Sequence, residues 1–512
     1  MFNMNFKRVF AETTMGDYAR SIKAAPREVI FNGNLIFSTI VYSMAAFSNC
    51  WDQGASSTMP VLPGFQRHFG LSEEVNADEI SDFISLVYLG MAAGAALSFF
   101  INDRIGRLWS FRLYTVIWVV GQFINAFTPT VAGLNASRIV GGLGIGALSA
   151  IGTMAIVEIA LQRYVVCLPP VCFAPCIFMA FCVLASFYAC ESPRWLFLVG
   201  RREEAVDVLS KLRGLPVSHS RMQAEILEIE ESIRKEREGF GSTDRSSNML
   251  SILKETFTIP SNLRRVQQSL VSYALAQLSG ANMITSYFVP ILNLLGTSGG
   301  AAHSLFLSGM YGFSKLCFVT IASFFFIDAL GRRKSLFVGT SIQMLTDIYI
   351  GVYLRYSQAG GTSDAASRAA LAFIFLHAFG YAVGLYILPY VFGSELWPNR
   401  IRSFGSAMSQ CWHWLFCYAM NAALPSLLSS TNNWGAFIFF AAWCFVSLVY
   451  VFLMVPEVAG LALEQIDEVF KGPWFNAYKQ SRRLTTIPGV DSQDVEDISP
   501  GEVRSKVKTK EG

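Results

Sequence analysis

The stretch Ile101-Asn102-Asp103-Arg104-Ile105-Gly106-Arg107-Leu108 is a tight, charged turn between two long apolar runs. A second copy, Ile327-Asp328-Ala329-Leu330-Gly331-Arg332-Arg333-Lys334, stands in the later part of the chain. An acidic residue, a glycine and one or two arginines wedged between membrane-length segments, twice in equivalent places, mark two related halves. Gly106 and Gly331 allow the backbone to reverse tightly. Arg104, Arg107, Arg332 and Arg333 hold their side of the membrane by the positive-inside rule. Asp103 and Asp328 can pair with those arginines or cap a neighbouring helix.

The bulk composition agrees. The 512 residues are 53% hydrophobic, 14% aromatic and only 15% charged, against about 25% charged in a soluble protein. The apolar residues fall in blocks of about 20, each long enough to cross a bilayer as a helix. An all-α polytopic membrane protein follows. The net charge of +3 gives no reason to expect nucleic acid as a partner. Half of the 10 cysteines (Cys167, Cys172, Cys176, Cys182, Cys190) lie in one apolar segment without histidines or paired CxxC motifs. They read as small apolar helix residues, not metal ligands, and no cofactor is expected.

Lys7, Arg8, Arg20, Lys23 and Arg27 assign residues 1–34 to the cytoplasm, and no secretory signal is read there. Spans are expected near residues 35–54, 80–101, 109–127 and 131–161, followed by one apolar run at 164–189. The polar segment 191–265 is rich in Lys and Arg and belongs in the cytoplasm. Two amphipathic helices are expected in it, at 201–212 and 221–238. Further spans are expected near 266–295, 304–327, 335–354, 369–392, 406–427 and 434–455. The domain plan is thus a cytoplasmic N-terminal segment (1–34), an N-terminal helical bundle (35–190), a cytoplasmic linker (191–265), a six-helix C-terminal bundle (266–455) and a cytoplasmic tail (456–512).

Together these strings resemble the sugar-porter branch of the major facilitator superfamily, closest to its fungal hexose and quinate permeases. The strings are Trp51-Asp-Gln-Gly54, Asp103-Arg-Ile-Gly-Arg107 and Arg138-Ile-Val-Gly-Gly-Leu-Gly-Ile-Gly146. Later come Glu191-Ser-Pro-Arg-Trp-Leu196, Gln277-Leu-Ser-Gly-Ala-Asn282, Asp328-Ala-Leu-Gly-Arg-Arg333, Ser394-Glu-Leu-Trp-Pro-Asn-Arg400 and Pro456-Glu457 with Leu463-Glu-Gln-Ile-Asp467. The resemblance implies two helical bundles, a central substrate site and alternating access. It also marks Glu158, Glu191, Arg194, Glu395 and Arg400 as members of the cytoplasmic gating motifs.

Some positions depart from the family pattern. Its glutamine pair is Ala276-Gln277 here, and its aromatic pair is Ser286-Tyr287. Tyr390 and His413 align with a family tryptophan and glutamine. The family also places a whole span between Glu158 and Arg163, where this chain has four residues. About 11 transmembrane helices are therefore expected in place of the family's 12.

Candidate site residues follow from chemistry and resemblance. Asp52 and Arg138 are ionisable groups at membrane depth, where a charge needs a partner or a cavity. In the proton-coupled porters that this chain resembles, such a pair is the coupling switch. Gln277 and Asn282 can donate to and accept from polyol hydroxyls. Tyr287, Tyr390, His413 and Trp414 line the same implied site, with Trp412 nearby in sequence. Lys315 puts an ammonium among apolar neighbours, resembles the quinate-type permeases and can meet a carboxylate. The expected function is secondary active transport of a monosaccharide or related polyol acid, proton-coupled, by a monomer in the plasma membrane. Its partners are the small-molecule substrate, the proton and the bilayer. A nutrient receptor on the same fold and a mis-spliced, transport-impaired product are the alternatives. No enzyme is expected, since no catalytic grouping stands outside the membrane segments.

The 26 residues of 164–189 suffice for one crossing, not two. A single crossing would put 191–265 outside and invert the second half, against the charge bias. The first bundle is instead expected to hold five membrane helices, with the second half keeping its usual orientation. A protease site inserted in 191–265 should be protected in intact cells. Cleavage from outside would contradict this topology.

Overall fold

The computed structural model describes residues 32–71, 76–159, 175–238, 245–297, 300–323, 332–361, 363–386 and 401–456, with Trp397 and Phe470. Among them every regular element is helical. Asp328, Gly331, Tyr390, Glu395 and Arg400 lie outside the described residues, as do 160–174; the side chains of Glu158 and Arg332 are not described.

The first half begins with α1 (Gly33–Ser43) and α2 (Ala45–Thr58), capped by the Asn32 side chain, which accepts from the amides of Asn34 and Leu35. There follow α3 (Pro63–Phe69), α4 (Ala77–Ile105), α5 (Arg107–Phe127), α6 (Val131–Ile159) and α7 (Pro175–Ser186). Between the halves stand α8 (Pro193–Val199), α9 (Arg202–Arg213), α10 (Ser220–Glu238) and α11 (Arg245–Thr258). The second half has α12 (Pro260–Leu278), α13 (Ala281–Ser286), α14 (Phe288–Leu294), α15 (Ala301–Ile321) and α16 (Arg332–Gln358). It closes with α17 (Asp364–Tyr381), α18 (Arg402–Ser430) and α19 (Trp434–Met454). Six of the described helices are long and apolar enough to cross a membrane: α4, α6, α15, α16, α17 and α19.

Small residues set the packing of the first half. A Cβ at Gly90 or Gly94 of α4, or at Gly142 or Gly146 of α6, would strike the backbone of the facing helix. Helices in lipid gain their association from such close contact. In the second half Gly339 of α16 meets Gly380 and Gly384 beside α17 in the same way.

The span expected at 266–295 is not one rod. It breaks at Ser279–Gly280, where Gly280 takes a φ of +81°, and again at Tyr287. The bundle helix also starts at Pro260, a proline tolerated in a first turn, and not at 266. The amphipathic helices expected at 201–212 and 221–238 correspond to α9 and α10. Trp195, Leu196, Leu209, Met222 and Ile226 make a small core between α8, α9 and α10.

The basic turn is held by a side chain from 84 residues away. Glu191 accepts from the amides of Arg107 at 3.0 Å, Leu108 at 3.0 Å and Ser192 at 2.9 Å, so it caps the start of α5. Arg107 Nη1 donates to Asp103 at 2.7 Å, and the Trp195 indole donates to the Asp103 carbonyl at 3.2 Å. Gly106 has φ +93°, and a Cβ there would sit 2.7 Å from the Glu191 carboxylate. Arg104 is exposed and Arg194 half-buried. In the second half Arg333 is buried and donates to the carbonyls of Phe452 at 2.7 Å and Val451 at 3.3 Å, at the end of α19.

Gly152 of α6 lies against Tyr42 and Ala45 while Arg138 of the same helix meets Asp52, so α6 runs antiparallel to α1 and α2. After α7, the Cys190 amide donates to Ser38 of α1 at 3.0 Å. The C-terminal end of α7 thus meets α1.

Burial raises the Glu191 carboxyl above the ordinary carboxylate range, and the three amides with the Arg107 charge only partly offset it. The folded state binds this proton more tightly than the unfolded chain does. The contribution of Glu191 to stability therefore falls as pH rises from the unfolded value through the raised folded one. Glu191→Gln should flatten that part of the melting-temperature profile of the purified protein. An unchanged slope across this window would contradict the assignment.

Candidate functional site

The site is built where the broken span α12–α14 faces α2, α4 and α18. A transmembrane helix that stops leaves backbone groups unpaired and must have polar neighbours. Here they are supplied by side chains from both halves.

Arg138 of α6 reaches Asp52 of α2 with two bonds, 2.6 Å to Oδ1 and 3.1 Å to Oδ2. Its Nε donates to the Phe83 carbonyl of α4 at 2.8 Å, its Nη2 also meets Ser56, and its guanidinium lies 4.5 Å from the Phe83 ring. Both side chains are only 3% exposed, so the pair is desolvated and depends on its geometry.

Gln277 and Asn282 flank the break and touch. Asn282 Nδ2 donates to Gln277 Oε1 at 2.8 Å, and the Cys417 thiol donates to the same oxygen at 3.1 Å. Gln277 Nε2 lies 3.1 Å from His413 Nδ1. His413 packs on Tyr273 at 4.9 Å and on Trp414 at 4.4 Å. Trp414 stacks on Tyr88 of α4 at 6.1 Å and donates to Ser149 of α6 at 3.3 Å. Tyr88 bonds Ser286 at 3.0 Å. The Tyr287 hydroxyl donates to the Asn421 carbonyl at 3.2 Å and lies 3.4 Å from Ser81. Trp412 turns instead to the Leu270 carbonyl at 3.1 Å.

Lys315 of α15 belongs to this group. Its ammonium donates to Thr285 of α13 at 3.0 Å and sits 5.8 Å from the Tyr311 ring. The thiols of Cys50 and Cys417 are within electrostatic reach. Among the described residues no carboxylate pairs with it.

The structure thus brings together Asp52 with Arg138, and Gln277 with Asn282, His413, Trp414 and Lys315. Tyr287 is set slightly apart, toward the face opposite the basic turn. Sequence reading missed Tyr88, Ser149, Thr285 and Cys417, which carry no motif. A polar residue in each of several apolar helices was the available signal.

Contacts bridge the two halves near both faces. At the basic face Phe99 meets Phe404 edge-on at 5.3 Å, and Ser403 donates to Asp103 at 3.4 Å. At the other face Ile80, Phe83 and Ile84 join Ile284, Phe288 and Ile291 in one buried cluster.

Comparison with known proteins agrees with this architecture. The family model described as Sugar (and other) transporter matches residues 38–165 and 167–470. A quinate permease from Emericella nidulans is 27% identical over 504 residues, covering 90% of this chain and 92% of the relative. A probable quinate permease from Aspergillus flavus is 26% identical, covering 85% and 89%. Among solved structures, the proton:xylose symporter XylE bound to 6-bromo-6-deoxy-D-glucose superposes with a TM-score of 0.67 at 19% identity, covering 86% of this chain and 100% of that one. A partially occluded inward-open form of XylE from E. coli gives 0.64 at 18% identity, covering 84% and 99%. The chain therefore belongs to the sugar (and other) transporter family, and is a multi-pass membrane transporter and not an enzyme.

Proposed function

We propose that the central site takes a polyol carboxylate of the quinate type, and that its transport is driven by protons. The observation that carries this reading is Lys315, a half-buried ammonium whose only described polar partner is the hydroxyl of Thr285, one turn after Asn282, with the Cys417 thiol within electrostatic reach. An unpaired cation at membrane depth is costly and is the natural seat of a substrate anion. The amides of Gln277 and Asn282 then serve the hydroxyls, and Trp414 with Tyr88 offers an apolar face to the ring. The quinate permeases among the relatives support the same substrate class.

Proton coupling is assigned to Asp52 and Arg138. Protonating Asp52 removes the charge that holds two of the guanidinium nitrogens. Breaking a buried pair is worth about 3–5 kcal/mol, enough to bias a two-state gate. The helix that carries Asp52, α2, touches α13 and α15, which bear Asn282 and Lys315. The turns around Asp103 and Arg107, Glu158, Glu191 and Arg194, and their counterparts Asp328, Gly331, Arg332, Arg333, Glu395 and Arg400, form the cytoplasmic gate. The protein works as a monomer in the plasma membrane.

A second reading concerns this particular chain. The family match is interrupted at residue 166, between α6 and α7, beside the place where the sequence is too short for a fifth span. The first bundle then lacks one wall, as a mis-spliced product would, and transport is weak even though the substrate site is intact. Robust quinate uptake by the unmodified chain would overturn this reading.

Binding separates the site from the transport cycle. Quinate should quench the tryptophan fluorescence of the purified protein, and Lys315→Asn should weaken quinate binding about 10-fold or more, the loss of a charge-assisted contact. Glucose binding should change little. Equal loss for both ligands would remove Lys315 from carboxylate recognition.

Accumulation is measured on a chain with a fifth span of the quinate permease relative inserted after Gln162. There Asp52→Asn should abolish uphill accumulation and keep exchange down a gradient. Accumulation that still follows the pH gradient would contradict the coupling role.

A further inference from the structure

A second group of buried ionisable side chains lies in the C-terminal half, away from Asp52 and Arg138. Gln343 and Asp347 stand four residues apart on one face of α16. His377 faces them from α17, across the close backbone contact at Gly339, Gly380 and Gly384. All three side chains are completely buried. His377 Nε2 lies 3.4 Å from Asp347 Oδ1, 3.3 Å from the Ser279 carbonyl and 3.4 Å from Gln343 Nε2. Gln343 Nε2 donates to the Ser279 hydroxyl at 3.2 Å.

The group is short of protons. Two of the three neighbours of His377 Nε2, a carboxylate oxygen and a carbonyl, are acceptors, so the ring proton is assigned there, and the 3.4 Å contact with the Gln343 amide nitrogen is then not a hydrogen bond. Among the described residues no hydrogen bond reaches either oxygen of Asp347, His377 Nδ1 or Gln343 Oε1. Among the described residues no lysine or arginine pairs with Asp347. The Tyr311 hydroxyl of α15 and the Cys444 thiol of α19 are within electrostatic reach of it from the other packed helices. An ionised carboxylate in such surroundings is costly without a partner. A proton on Asp347 removes that charge. The His377 N–H, 3.4 Å from Asp347 and bonded to the Ser279 carbonyl, leaves the pocket poorly suited to an alkali ion, which needs oxygen ligands all round.

We propose that Asp347, His377 and Gln343 form a second proton-binding site, whose occupancy is read at the Ser279–Gly280 break. With Asp347 protonated, the His377 N–H is free to hold the Ser279 carbonyl. When Asp347 ionises, the charge draws that N–H to itself and the Ser279 carbonyl loses its partner. Ser279 stands two residues after Gln277 and three before Asn282, so the change reaches both amides. The break has little slack, because a Cβ at Gly280 would lie 2.6 Å from the Phe440 ring. The effect on substrate rests on the role given above to Gln277 and Asn282; the binding of the proton does not.

Infrared titration of the full-length protein in lipid nanodiscs tests the site with the proton itself as probe. The carboxylic-acid C=O band of a buried acid should titrate with pH, vanish in Asp347→Asn and persist in Asp52→Asn. In His377→Gln, which keeps the carboxyl, the midpoint should move by about one pH unit, as loss of a close ionisable neighbour predicts. A band unaltered by Asp347→Asn, or an unmoved midpoint in His377→Gln, overturns the proposal; the second variant decides if the first does not fold. Quinate affinity in the Asp52→Asn protein should retain a pH dependence that adding Asp347→Asn removes. A dependence that survives both changes overturns the coupling. Absence of quinate binding at every pH overturns the substrate reading alone, since the infrared bands do not depend on it.

Discussion

Arg138 can exist at its depth only because four groups meet it. The Asp52 carboxylate, the Ser56 hydroxyl, the Phe83 carbonyl and the Phe83 ring come from α2 and α4. They can reach it only because α4 and α6 approach through glycines. The same contact that satisfies the guanidinium thus locks three helices of the first half. Removing either partner leaves an uncompensated buried charge. A switch that works by protonating one partner therefore acts on the packing of the whole half.

The second half places its polar groups around an interruption. The break at Ser279–Gly280 exposes backbone that lipid could not satisfy. From behind, His377 of α17 satisfies the Ser279 carbonyl and Gln343 of α16 donates to the Ser279 hydroxyl. Gln277 and Asn282 flank it in front, facing α18 and Lys315. A rigid helix would separate these two sides by its own hydrogen-bond ladder. The interruption makes them one network, so that the protonation of one side bears on the geometry of the other.

The fold was legible because its signals are redundant. Apolar blocks, the repeated turn and the basic linker each report topology independently. The Asp52–Arg138 pair was legible for an energetic reason, since two opposite charges in apolar segments have few other ways to be satisfied. Resemblance marked Gln277 and Asn282 as candidate substrate amides, but not the bond between them. Other features were not legible. The Ser279–Gly280 break hides in a run that reads as one span by hydropathy. The role of Glu191 as a cap on α5 needs a contact across 84 residues. The pairing of Asp347 with His377 depends on the register of α16 against α17, which sequence does not print. The i,i+4 spacing of Gln343 and Asp347 was the one local hint. Helix α8 could have been found from Ser192 as cap and Pro193 in the first turn, and was passed over as part of a motif.

The account stands on an ammonium waiting for a carboxylate. The most direct test is a cryo-EM structure of the full-length protein with quinate. The prediction is a carboxylate within hydrogen-bond distance of Lys315 Nζ, with ring hydroxyls on Gln277 and Asn282. Quinate bound elsewhere, with Lys315 still on the Thr285 hydroxyl, would contradict it.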